Sequence, residues 1–203
     1  MACVTSPPQR APAPRVPAPR VMDRLLRPAP PSATSPLSDD ELALLRVPVL
    51  DTALLERVAG LPVPRDLLRS PVARARCVAD HVPADGALVG LTALWVHDGR
   101  RSPAGGLEVS TPSRSGGSPR VRLRRGALAS EDLVLVGGLR CAAPARAAVD
   151  AARTSPPAVA VEAVLRALAL GESRASLLCA LDRCRGGSAR GRPRAQSLIT
   201  ALA

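Results

Sequence analysis

Two histidines are present, His81 and His97, and His97 stands beside Asp98 in a chain rich in serine, so a Ser/His/Asp relay has its raw material. The pattern argues against one. No G-x-S-x-G elbow occurs, and residues i and i+1 of a helix point in different directions. Cysteines stand at 3, 77, 141, 179 and 184, an odd number with no C-x-x-C pair, and both histidines are far in sequence from Cys179 and Cys184, the two that lie five apart. They read as reduced thiols. The clustered acids Asp39-Asp40-Glu41 suit a helix N-terminus, and Glu131-Asp132 suits a turn before a strand. No catalytic residue, metal ligand or cofactor site is expected.

Arginine is the residue left to act. All 28 basic residues are Arg, and Lys is absent. In RVRLRR, Arg120, Arg122 and Arg124 alternate with Val121 and Leu123, with Arg125 following. A period of two places the three arginines on one face of a strand and the aliphatics on the other. Arg146 and Asp150 lie four apart on an expected helix, where they can form a local ion pair, pin the strand–helix junction or contact a partner. Arg120, Arg122, Arg124, Arg125, Arg146 and Asp150 are therefore the candidate partner-binding residues.

The missing residue types exclude chemistry. Without Lys there is no Walker A loop and no Schiff base, and without Tyr no tyrosine nucleophile. Phe and Asn are also absent, Trp95 is the single aromatic and Ile199 the single Ile. That joint depletion marks a GC-rich coding sequence, so Arg-for-Lys usage is partly coding bias. A stacking platform for single-stranded nucleic acid cannot be built without aromatics. Nucleic acid would have to be held by its phosphates.

These residues need elements to position them. Residues 1–37 are Pro- and Arg-rich, too poor in buriable surface to fold, and read as a disordered tail: a basic arm or a plain extension. Met22 is an alternative start. A single domain is expected over 38–203. Ser38 to Glu41 has capping-box spacing and opens a helix. Residues 47–70 read as brief helical pieces broken by Pro, and Pro71 opens a helix over 71–82. Residues 88–99 read as a short strand or turn running into a helix with Trp95. Strands follow at 107–112 and 120–125 around a loop at 113–119, then a hairpin, LVLV and LRCA, about Gly137-Gly138. Helices over 144–153, 157–170, 174–184 and 193–203 close the chain, the second with Val161, Val164, Leu165 and Leu168 on one face. The class is α+β: a small antiparallel sheet of three or four strands with a C-terminal helical bundle, behind the disordered tail.

Net charge is +11, concentrated in three stretches: the tail, residues 100–125, and residues 183–203, which carry five Arg and no acid. Such clusters are either solvated faces or the footprint of an acidic partner. No apolar run approaches the roughly 20 residues of a membrane span, and the N-terminus lacks a signal-peptide core. A cytoplasmic protein without membrane contact is expected.

The second half resembles a known family. GALVGLTALWVHDG looks like a segment of the AbiEi-type antitoxins of actinobacterial type IV toxin–antitoxin systems, and LEVSTPSR looks like the strand that follows it there. RVRLRRGALASEDLVLVGGLRCAAPARAAVDAAR resembles the family's basic strand, its turn and its G-L-x-V-T-S-P-x-R-T-x-x-D-L-A-R signature, matched at Pro144, Arg146, Asp150 and Arg153. Cys141, Ala142, Ala143 and Ala147 replace the signature's Val, Thr, Ser and Thr. The resemblance covers roughly 85–203, and more loosely 38–84. It implies a domain that antagonises a nucleotidyltransferase-like toxin, joined in the family to an operator-binding winged helix and in some relatives to a restriction-endonuclease-like domain. This chain reads as a stand-alone copy of the middle domain. The expectation is a non-catalytic, antitoxin-like binding protein whose partners are a cognate toxin and, through the Arg clusters, double-stranded DNA. A basic DNA-binding regulator and a non-functional relic of the family are the alternatives.

Overall fold

The computed structural model describes residues 53–103, 105–112, 119–126, 128–185 and 190–203. The tail read over 1–37, the helix from Ser38 and most of the 113–119 loop lie outside them. The description begins with a hairpin, strand β1 at Leu55–Val58 and β2 at Leu61–Pro64. This corrects the helical pieces read over 47–70 at residues 55–64, whereas a short 3-10 helix at Arg65–Leu68 keeps one of them and residues 47–52 lie outside the described ones. The two-residue connection holds Ala59 and Gly60 at φ +49° and +82°, the twisted turn that suits a tight hairpin. With no third strand beyond it in its two-stranded sheet, Pro62 and Pro64 sit at an edge, where proline is tolerated.

Helix α1, Pro71–Val78, starts with Pro at its first turn and Ser70 Oγ accepting from Ala73 N. Strand β3, Ala87–Leu88, runs into α2, Gly90–Asp98. Strands β4, Leu107–Thr111, and β5, Val121–Arg125, come next. The Gly-Gly hairpin forms as read, β6 at Leu133–Val136 and β7 at Leu139–Ala142. Four helices follow: α3, Pro144–Thr154; α4, Pro157–Ala169; α5, Arg174–Asp182; and α6, Arg192–Leu202.

The α+β class holds. The main sheet has five strands in the order β5-β4-β3-β7-β6. Pairs β3–β4 and β6–β7 are antiparallel, as expected of the whole sheet, but β3–β7 and β4–β5 are parallel, so the sheet is mixed. The first parallel pair has a packing reason. β3 leads into α2 and β7 into α3, so two strand–helix units lie side by side and their helices pack together.

Helix α3 divides the interior. Its Ala147 and Ala151 join the sheet-side core with Trp95, Leu88, Leu94 and Leu107, while Ala145, Ala148, Val149 and Ala152 join the helical core with Leu177, Leu181 and Ile199. Only alanine-sized side chains let neighbours approach a helix this closely on all sides. The same logic corrects the face read for α4 in part: Val164 is buried and Leu168 packs on the helical core, but Leu165 is 48% exposed and Ala160, Ala163, Arg166 and Ala167 fill the rest of the buried side. Among the described residues, no helix is long and apolar enough to cross a membrane.

Candidate anion-binding site

Strand β5 is an edge of the main sheet and pairs only with β4 among the described residues. Val121 and Leu123 turn to the core, as the alternation requires. Their parallel register sets Glu108 opposite Arg122 and Ser110 opposite Arg124. Glu108 does two jobs. Its Oε2 accepts from Leu91 N at the start of α2, and its Oε1 accepts from Arg124 Nη2 at 2.9 Å. A carboxylate at a helix N-terminus is favoured by the helix dipole. It needs Gly90, which has φ +54° and where a Cβ would collide with Glu108 Oε2.

Helix α3 brings the second wall. Arg146 Nε contacts both oxygens of Asp150 at 3.2 Å, and Arg146 Nη1 donates to Asp132 Oδ2 at 2.5 Å. Asp150 Oδ1 also accepts from Arg153 Nη1 at 2.9 Å, and Arg153 Nε donates to the Arg190 carbonyl. That last contact depends on Gly191, where a Cβ would meet the Arg153 carbonyl. Asp132, fully buried in the turn before β6, takes Arg183 as well as Arg146. Arg146 therefore does pin α3 to the chain entering β6, in addition to its local pair with Asp150.

Burial pushes the Asp150 carboxyl up, against the pull of Arg146 and Arg153. Burial alone would lower the Arg146 guanidinium, but the carboxylates of Asp150 and Asp132 outweigh it and leave it raised.

Between these walls lies a cleft of about 220 Å³. Arg124, Arg125, Arg146 and Arg153 line it against one carboxylate, Asp150, with Ser110 and Thr154 supplying hydroxyls. Both hydroxyl protons are already spent, Ser110 Oγ on the Gly126 carbonyl and Thr154 Oγ1 on the Asp150 carbonyl. The cleft presents donors and positive charge.

The structure thus gathers Arg124, Arg125, Arg146 and Asp150 from the sequence candidates. It leaves Arg122 and Arg120 apart. Arg122 lines a different cleft of about 180 Å³, which mixes Arg101 and Arg166 with Glu108 and Glu162. Arg120 is exposed, and its carbonyl accepts from Leu107 N. Arg153 and Asp132 are the residues that sequence reading left off the site. The i,i+3 spacing of Asp150 and Arg153 was available as a signal, whereas nothing local marks Asp132 as their long-range partner.

The histidine beside a carboxylate has a structural role. His97 Nε2 lies 2.9 Å from the Ala142 carbonyl, which can only accept, so Nε2 carries the proton. Asp98 faces elsewhere and is gripped by Arg166 at 2.7 and 2.8 Å. Arg74 donates to the Val96 and His97 carbonyls, the last turn of α2, and to Leu68. Among the described residues, no three His, Cys, Asp or Glu side chains gather as a metal site.

Comparison of the chain with family models, with curated proteins and with solved structures finds no match.

Proposed function

We propose that this chain is a non-catalytic recognition protein of the antitoxin kind, which docks an acidic protein partner on its β5 edge. The observation that carries the reading is the set of arginines along that edge. The side chains of Arg122 and Arg125 are exposed and make no hydrogen bond or ion pair among the described residues. An edge strand also offers unpaired backbone donors and acceptors. Arginine is the cation best suited to pairing with carboxylates in a fork geometry. The resemblance to AbiEi-type antitoxins supplies the partner: a nucleotidyltransferase-like toxin.

The test is co-purification with the product of the adjacent reading frame. Retention of a nucleotidyltransferase-like protein by the native chain, and its loss with Arg122→Glu at unchanged melting temperature, supports the reading. No retention by the native chain overturns it. Duplex DNA binding that weakens steeply with salt and is lost in the same variant would instead assign the edge to nucleic acid.

A further inference from the structure

We propose that the cleft between β5 and α3 is a binding site for a phosphate dianion, carried as a monoester on a nucleotide or met as free phosphate. The site shares Arg125 with the proposed docking edge but not Arg122, which does not line it.

Charge balance is the first argument. Four guanidiniums face one carboxylate across the cleft. Glu108 behind Arg124, and Asp132 shared by Arg146 and Arg183, bring the set to five guanidiniums against three carboxylates. Two positive charges remain unneutralised, which a phosphate dianion would balance.

Unused donors are the second. Arg146 spends Nε and Nη1 on carboxylates, and Arg153 spends Nε and Nη1 on Arg190, Asp150 and Cys184. Arg124 spends only Nη2. Among the described residues, Arg146 Nη2, Arg153 Nη2, Arg124 Nε and Nη1, and the whole Arg125 guanidinium are left over. Among the described residues, the one fully buried side-chain nitrogen without a partner is Trp95 Nε1, so these leftover nitrogens reach solvent, and the groups that bear them line the cleft. Guanidinium donors held in fixed orientation are the usual means of gripping phosphate oxygens.

Pre-organisation is the third. Arg146 and Arg153 are 7% and 8% exposed and anchored at their far ends by Asp150, Asp132 and the Arg190 carbonyl. Little side-chain freedom is left for an anion to remove. Size is the fourth. At about 220 Å³ the cleft is below the range of roughly 300–1,000 Å³ typical of drug-sized ligands. It suits a phosphate with a short ester arm against Val89 and Leu128. With no aromatic in its lining, a base has nothing to stack on, so the phosphate itself is what is recognised.

The experiment is a thermal-shift and calorimetric titration of the full chain with inorganic phosphate, adenosine 5′-monophosphate, adenosine, and sodium chloride at matched ionic strength. Phosphate and the monophosphate should raise the melting temperature, while adenosine and chloride should not. Arg125→Ala should weaken phosphate at least tenfold without changing the melting temperature of the free protein, because Arg125 is exposed and unpaired. Arg122→Ala should bind as the native chain does. Tighter binding of the monophosphate than of phosphate identifies a nucleotide source, and equal binding identifies free phosphate. No shift beyond that of chloride, or equal weakening by Arg122→Ala and Arg125→Ala, would overturn the proposal. No toxin retention by the native chain, with its phosphate binding intact, would count against partner docking alone.

Discussion

Asp132 is a carboxylate with no exposure and two guanidiniums upon it, Arg146 at 2.5 Å and Arg183 at 2.5 Å. A buried ion pair adds little over a well-packed apolar pair, but removing one member strands the other. Asp132→Asn keeps the shape and removes the charge. It leaves Arg146 with Asp150 alone and deprives Arg183 of its partner. The expected cost is about 3–5 kcal/mol, read as a lower urea midpoint at an unchanged slope. A loss within the scatter of a surface substitution would mean that the network does not hold α3 to β6. The neighbouring Arg101–Glu162 pair, 68% and 38% exposed, is the natural contrast, since exposed pairs contribute little. At this scale the sequence was informative where partners are local. Arg146 with Asp150, four apart, was visible as a pair. Arg166 with Asp98 and Arg183 with Asp132 join residues far apart in the chain, and no spacing rule reaches them.

The elements differ in how readable they were for similar reasons. The β6–β7 hairpin was legible because LVLV and LRCA flank Gly137-Gly138, and both glycines take positive φ. Helices α3, α4 and α6 were legible from the prolines at their starts. The β1–β2 hairpin was not, because LERVAGL has helical composition and Pro62 and Pro64 look like helix breakers. The face of α4 was legible only in part, at Val164 and Leu168, because periodicity weighs large side chains, whereas close contact with α3 selects Ala160, Ala163 and Ala167 for the inside and leaves Leu165 out. The parallel pairing of β3 with β7 is a long-range choice, made by the packing of α2 on α3. The site inherits this pattern. Its strand wall, Arg124 and Arg125, and its helix wall, Arg146 and Asp150, were each picked out. That they face one another across a cleft depends on the sheet order, which no single segment encodes.

At the scale of the molecule, the absence of Lys and Tyr gives an unusual alkaline behaviour. Cysteine thiols are then the only side chains that titrate between the ordinary thiol value and the arginine range. Burial pushes the Cys77 thiol up to about 11 and the Cys141 thiol up to about 12. In the unfolded chain both ionise near their ordinary value, so the unfolded state sheds protons first. Stability is therefore full below about pH 9 and falls as pH rises through the window from 9 to 12. At about 1.4 kcal/mol per unit of separation, the loss from the two thiols together reaches roughly 6 kcal/mol by the top of that window. Urea midpoints at stepped pH check this. The Cys77→Ala, Cys141→Ala double variant should show a flatter alkaline limb, and an unchanged limb would refute the assignment.

The same molecule-wide charge of +11 poses the central question, whether anion recognition is localised or diffuse. Guanidinium Hε resonances of the ¹⁵N-labelled chain, followed through a phosphate titration at fixed ionic strength, answer it most directly. Saturable shifts confined to Arg124, Arg125, Arg146 and Arg153 are predicted. Weak, linear shifts spread over exposed arginines such as Arg122, Arg140 and Arg174 would contradict it.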